Sequence, residues 1–236
     1  MMMRRRRGLL TLAACLTLGW SATLSGAQTP ASRVGELRPL GQDRFQIGRI
    51  VVDKRAGRFS VPGRVHVLGK PLEYLATSPG GLKAYETMLE LDASGSEFNL
   101  ACILLGLERD ANEVPWRQYR QVPRLVGARV ALFIAWSEGG KRRQVSAAQA
   151  LLNADAGVQP DSVEWVYTGS PVSEGNARFA ADDTGTLIGF VHDASSIIEA
   201  AAPIGIGAYG SVRGHAMVPP VGTAIELVVE LASGAK

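Results

Sequence analysis

The alternation of apolar and polar positions after residue 44 predicts a chain built mainly of short β-strands. Apolar residues alternate with polar ones or form short runs between Gly, Pro and charged residues, which is typical of strands. The longest unbroken apolar run, Val130 to Trp136, predicts a central strand covered on both faces. The predicted strands lie within 45–52, 59–61, 65–67, 72–76, 88–91, 130–136, 141–145, 163–168, 177–181, 187–191 and 224–231.

One segment has the features of a buried helix. Ser94 and Glu97 have the spacing of a capping box, and the residues behind them are apolar on every side except at Asn99. A buried amide needs a partner, so Asn99 is expected to face the surface or to hold a specific hydrogen bond. Ser146 and Gln149 repeat the spacing and predict a second, short helix. The predicted fold class is α+β, with a mainly antiparallel sheet packed against one principal buried helix at about 94–106 plus a short helix.

The first residues have the layout of an export signal. Four arginines at 4–7 precede an apolar run at 8–24, and the small residues at 25–27 provide a cleavage site, which predicts a signal peptide over 1–27 and a mature chain that begins at Gln28. Two alternatives remain open. Residues 12–15 end in Cys15 and resemble a lipobox, whose lipidated Cys15 would attach the protein to a membrane, and the apolar run could also stay uncleaved as an anchor.

Composition narrows the possible partners and places the domain boundaries. The net charge of +3 comes from the four leader arginines, because the rest of the chain has 21 basic and 22 acidic residues. Nucleic acid is therefore not an expected partner.

Residues 28–44 contain Pro30 and Pro39 and are predicted to form a flexible arm, and residues 45–236 are predicted to form a single domain. That mature domain has Cys102 as its one cysteine, which excludes an internal disulfide and an iron–sulfur cluster.

Several short strings resemble the bacterial YdjY-like domain family. They are VPG at 61–63, LEYL at 72–75, KAYET at 83–87, LA at 100–101, LG at 105–106, WVYTGS at 165–170, AD at 181–182, GT at 185–186 and PVGT at 220–223. The resemblance implies an exported protein with no assigned activity. Some members are described as ferredoxin-like, but this chain has no Cys-x-x-Cys. Tyr85 stands where relatives often have His, so a metal or acid–base role is not carried over to it.

Motifs for cofactors and metals are incomplete, and the sequence predicts neither. The glycines of 205–210 fit a dinucleotide fingerprint, but Gly214 and two prolines follow before a long helix could form. Residues 182–185 contain two aspartates but lack the final Glu of a calcium loop, and are interpreted as a hairpin turn. The three histidines, His66, His192 and His215, lie far apart in the sequence and are interpreted as surface or hydrogen-bonded residues.

Aromatic and cationic residues alternate in one polar connection. Trp116, Arg117, Tyr119 and Arg120 form a candidate ligand-binding loop for sugars or anions, because aromatic faces stack and guanidinium groups bind oxyanions. The alternative is a surface loop whose arginine stems lie on apolar neighbours.

Two classes of function remain open from the sequence. The favoured class is a noncatalytic envelope domain that binds a protein, a glycan or a small anionic ligand, because no strong catalytic motif occurs. The alternative is a hydrolase-like or other acid–base enzyme that uses Glu73, Glu86 and Lys83, three charged residues placed among strand-like apolar residues. If the strands at 72–76 and 88–91 pair, these charges are expected to meet on one face.

Overall fold

A computed structural model describes residues 35–109, 121–153, 162–172, 178–204 and 212–232. Two helices, α1 (Gly95–Leu104) and α2 (Ala180–Thr184), accompany a 3₁₀ turn at Ala84–Glu86. The strands are β1 (Leu37–Gly41), β2 (Arg44–Ile47), β3 (Ile50–Asp53), β4 (Arg58–Val65), β5 (Tyr74–Thr77), β6 (Thr87–Leu91), β7 (Ala128–Glu138), β8 (Lys141–Ser146), β9 (Leu151–Asn153), β10 (Trp165–Tyr167), β11 (Thr186–Gly189), β12 (Ile198–Ala200), β13 (Val212–Gly214) and β14 (Ala224–Leu231).

Eight strands pair in a closed ring, in the order β4, β14, β7, β10, β12, β11, β5 and β6. The ring closes where β6 pairs with β4, from Gly63 opposite Leu91 to Val65 opposite Leu89. The predicted α+β class, a sheet packed against a principal helix at about 94–106 plus a short helix, is therefore wrong, and the fold is a β-barrel. Closure depends on pairs of residues far apart in sequence, and strand alternation is the same in an open sheet and in a barrel.

The long strands β4 and β7 extend beyond the ring and carry further strands there. The first residues of β4 pair with β3, which continues into β2 and β1, while the end of β7 pairs with β8. Residues Leu37–Gly41, inside the range 28–44, thus form a strand. Along β7, Val130, Leu132 and Ile134 are buried but alternate with less buried neighbours. Alternation of this kind is typical of a barrel strand and corrects the prediction that both faces are covered.

Helix α1 begins as the sequence predicts. The Ser94 hydroxyl accepts the Glu97 amide and the Glu97 carboxylate accepts the Ser94 amide, so the capping box is complete. Asn99 also has its expected partner, because the Tyr167 hydroxyl donates to Asn99 Oδ1 over 2.8 Å. The helix is not buried all round, since Ile103 is exposed. Phe98 packs edge-on against Phe59 of β4, which fixes the buried face against the barrel.

The predicted short helix is a single turn. Ser146 and Gln149 form their reciprocal hydrogen bonds, but residues 147–150 turn directly into β9. The second helix is instead α2, which contains the last two residues of the strand predicted at 177–181 and most of the hairpin turn predicted at 182–185. Gly185 ends α2 in the left-handed conformation, with φ of 75°. Among the described residues, no helix is long and apolar enough to cross a membrane.

Two unusually short connections join neighbouring parallel strands. The first crossover, residues 78–86, leads from β5 to β6, and the second crossover, residues 190–197, leads from β11 to β12. Parallel neighbours ordinarily need a connection of about a dozen residues or more. These two must therefore fold back tightly along their strands, and they bring loop side chains against the barrel.

Candidate functional site

The first crossover carries two of the three charged residues singled out in the sequence. Lys83 Nζ lies 2.6 Å from Glu86 Oε1, and both side chains are partly buried, with 33% and 17% of their surfaces exposed. The hydrogen bond to Glu86 raises the pKa of Lys83 above its ordinary value of 10.5. The ammonium group also lies 6.0 Å from the ring centroid of Tyr74 and 5.6 Å from that of Tyr85. Lys83 therefore stays charged and held in place.

Glu73 joins this pair through its main chain. Its amide donates to the Glu86 carbonyl over 3.0 Å, and its own carbonyl accepts the amides of Phe190 and Val191 in the second crossover. The structure thus brings the side chains of Lys83 and Glu86 together and places the backbone of Glu73 beside them. Glu73 sits where both crossovers meet.

Tyr74, the next residue, connects this pair to the partly buried carboxylate of Asp193. Its hydroxyl donates to Asp193 Oδ2 over 2.7 Å, and Tyr74 itself is fully buried. The other oxygen of Asp193 accepts both the amide and the hydroxyl of Ser195, at 3.0 and 2.8 Å. Asp193 therefore ties β5 to the second crossover, and both of its oxygens already have donors from the protein.

A line of hydroxyl groups continues from Asp193 toward α2. Ser195 Oγ lies 2.8 Å from Thr186 Oγ1, which lies 2.7 Å from Thr184 Oγ1. The neighbouring Ser170 donates to the Ser195 carbonyl and accepts the Ala181 amide. Ser170 is buried with φ of 44°, a left-handed conformation that a non-glycine residue adopts only when its surroundings hold it. We call the set Lys83, Glu86, Tyr74, Asp193, Ser195, Thr186 and Thr184 the polar chain.

Sequence reasoning missed the buried polar residues around Asp193. Glu199 is fully buried and accepts the Asp193 amide over 2.9 Å, and His192 is buried with Nε2 3.3 Å from the Ala200 carbonyl. The one local signal was Asp193 two residues before Ser195, a spacing at which an Asp side chain accepts the amide of its own turn. Its partner Tyr74 is 119 positions away and left no local signal.

The polar chain has limited chemical options. A general base must be able to receive a proton near the working pH, whereas Lys83 is held in its protonated form by Glu86. The described residues contain no group of three or more His, Cys, Asp or Glu side chains arranged to hold a metal ion. The arrangement supports a structural network more directly than an acid–base pair.

The remaining predicted residues fall elsewhere. Trp116, Arg117, Tyr119 and Arg120 lie outside the described residues, as does the glycine-rich segment 205–210. Asp182 accepts the Ser96 amide over 2.8 Å, so it caps α1 and belongs to no loop of the calcium-binding type. His192 lies in the second crossover, while the backbone amides of His66 and His215 bond to Met88 and Ala150.

Comparison with known proteins defines the class of domain. A family model described as YdjY domain matches residues 50–230, a range that begins at β3, contains both crossovers and includes every barrel strand except the last residue of β14. The chain belongs to the YdjY domain family, whose function is unassigned. No curated protein matches the chain, and no solved structure matches it.

Proposed function

We propose that the protein is an exported envelope domain that acts by binding rather than by catalysis. Export is supported by the order of basic, apolar and small residues over 1–27. A binding role is supported by the polar chain, in which Glu86 is paired with Lys83 and Asp193 has donors on both oxygens. Groups engaged in this way stabilise loops and have little capacity left for a substrate.

The proposal is based on two exposed, largely apolar side chains in the first crossover. Leu82 and Tyr85 are 67% and 62% exposed and lie three residues apart in the first crossover, where Tyr85 belongs to the 3₁₀ turn and Leu82 precedes it. The turn is held by hydrogen bonds from Leu82 N to the Thr184 carbonyl and from Thr87 Oγ1 to the Lys83 carbonyl. A rigid aromatic anchor loses little conformational entropy on binding and is typical of interface centres. We call Leu82 and Tyr85 the crossover surface.

An envelope protein is the partner that fits the crossover surface best. Leu82 adds an exposed aliphatic side chain in the same crossover, and the Lys83–Glu86 pair would supply a polar rim, the usual anatomy of a protein interface. A glycan or a small anionic ligand at 116–120 remains the alternative class of partner.

Site-specific photo-crosslinking in intact cells tests this proposal. A photoreactive amino acid replaces Tyr85 in one strain and Ile103, which is 51% exposed on α1, in a matched control strain. We expect one discrete crosslinked species from position 85 and none from position 103, in the envelope fraction. Identical crosslinking from both positions, or none from position 85, would contradict a binding role for this surface.

An acid–base enzyme is the second candidate. The observation in its favour is that Lys83 and Glu86 are in contact and partly buried beside Glu73, as paired catalytic groups often are. The raised pKa of Lys83 opposes it, because a lysine base needs a lowered pKa. A hydrolase activity that is lost in both Glu86→Gln and Lys83→Met, with the fold intact, would establish this candidate instead.

A further inference from the structure

Three segments that pack together form a lobe that has no carboxylate. Residues 65–72, 146–153 and 212–223 contain Lys70, Arg213, His66 and His215 but neither Asp nor Glu. The chain outside its leader is almost neutral, with 21 basic and 22 acidic residues, so this distribution is uneven. We call these three segments the basic lobe.

Backbone hydrogen bonds hold the lobe together. β13 pairs with β9, from Val212 opposite Asn153 to Gly214 opposite Leu151. On the other side of β13, the Leu72 amide donates to the Val212 carbonyl and the Gly214 amide to the Leu68 carbonyl, at 2.9 and 3.1 Å. The loop that carries Lys70 therefore lies beside the strand that carries Arg213. The two segments approach closely here, since a Cβ on Gly214 would lie 3.3 Å from Leu68 Cα.

The cations of the lobe are exposed and have no acidic partner in the part of the chain that the structure describes. Lys70 and Arg213 are both exposed, and neither has a carboxylate within ion-pair distance among the described residues. Some other exposed arginines do have one, such as Arg49 with Asp92 and Arg142 with Glu226. Within the described residues, no carboxylate therefore competes with a ligand for these two cations.

His215, two residues after Arg213, adds a ring N–H donor. The Met217 amide donates to His215 Nδ1 over 3.2 Å, so Nδ1 is the accepting nitrogen and Nε2 is left as the donor. The lobe thus has an ammonium group on Lys70, a guanidinium group on Arg213 and an imidazole N–H on His215. Phosphate oxygens accept hydrogen bonds from all three kinds of donor.

We propose that the basic lobe binds a phosphate group. The group has two possible sources, a soluble phosphate compound or the headgroup of an anionic phospholipid. Met217 and Val221 are exposed apolar residues of the same lobe and could contact lipid tails, so a lipid source is tested separately. The proposal does not involve the crossover surface, so either proposal can fail while the other stands.

Two binding measurements on the purified protein test it. The isotopically labelled protein is titrated with inorganic phosphate, at constant ionic strength set with chloride, and followed by amide NMR. It is also sedimented with phosphatidylcholine vesicles that contain or lack phosphatidylglycerol. The variants are Lys70→Gln/Arg213→Gln and the control Lys54→Gln/Arg55→Gln, which removes two exposed cations from the β3–β4 turn.

We expect shifts of the amides in 66–72 and 212–215, or sedimentation that requires phosphatidylglycerol. The lobe variant should weaken binding at least tenfold and the control variant less than twofold. Binding in the phosphate arm alone identifies a soluble source, and binding in the vesicle arm alone identifies a lipid. Wild-type protein that shows neither, or an equal loss in both variants, would overturn the proposal.

Discussion

The Lys83–Glu86 pair offers a quantitative prediction about the first crossover. Nζ and Oε1 are 2.6 Å apart, and the side chains are 33% and 17% exposed. Exposed pairs contribute up to about 1 kcal/mol, whereas removing one partner of a buried pair costs about 3–5 kcal/mol. For this intermediate burial we expect a coupling of about 1.5 kcal/mol between the two side chains in the free energy of unfolding. Each single variant should lower Tm by about 3–6 °C in a domain of this size.

A double-mutant cycle measures that coupling. Glu86→Gln, Lys83→Met and the double variant are unfolded with urea at pH 7. The matched control is the cycle for Glu138 and Arg143, whose atoms are 3.0 Å apart but whose side chains are 63% and 59% exposed. We expect less than about 0.5 kcal/mol of coupling there. Equal coupling in the two cycles would show that the Lys83–Glu86 pair is an ordinary surface contact.

The same pair predicts a pH dependence. The folded-state pKa of Lys83 is raised above its ordinary value of 10.5, so its contribution is complete below the unfolded-state pKa. It is lost as pH rises through the higher folded-state pKa. The coupling should therefore be constant from neutral pH to about pH 10 and decrease only above that, because the unfolded-state pKa of Lys is about 10.4.

Three further predictions concern packing and processing. In urea unfolding, Gly95→Ala should destabilise the protein by about 1–3 kcal/mol, although alanine favours helices more than glycine does, because the new Cβ would lie 2.7 Å from Ala181 Cβ. The control Gly69→Ala should be neutral, because a Cβ there meets nothing within 4 Å. Cys102 is fully buried, which raises its thiol pKa, so native protein should react with a thiol reagent only at its unfolding rate, and fast stoichiometric labelling would refute this. N-terminal sequencing of envelope protein should begin at Gln28, and a lipidated Cys15 would establish the alternative route.

Elements with a local signal were predictable from the sequence. The capping box at Ser94 and Glu97 located α1, and the apolar pattern of 224–231 located β14 with its observed bounds. The same kind of signal failed at Ser146, where the capping hydrogen bonds form but only one turn follows before β9 begins. A capping box therefore marks where a helical turn starts, while tertiary pairing decides whether a helix follows.

Neither the closure of the barrel nor the Tyr74–Asp193 contact in the polar chain could be predicted from the sequence. Closure depends on the pairing of β4 with β6, and the polar chain depends on a hydrogen bond between Tyr74 and Asp193. Both contacts join residues whose local patterns fit other partners equally well. The three charged residues were nevertheless a useful guide, because they lie where the two crossovers meet.

Unfolding of the Tyr74→Phe variant tests the central claim, that the polar chain is a structural network, most directly. The substitution removes one donor to the Asp193 carboxylate and changes little volume. Our account predicts a loss of about 1–2 kcal/mol in urea unfolding, since a partly buried carboxylate loses a hydrogen-bond donor. It also predicts faster amide exchange in 190–197. If the variant were as stable as the wild-type protein or more stable, the account would be contradicted. Such a result is typical of residues that are retained for function at a cost in stability.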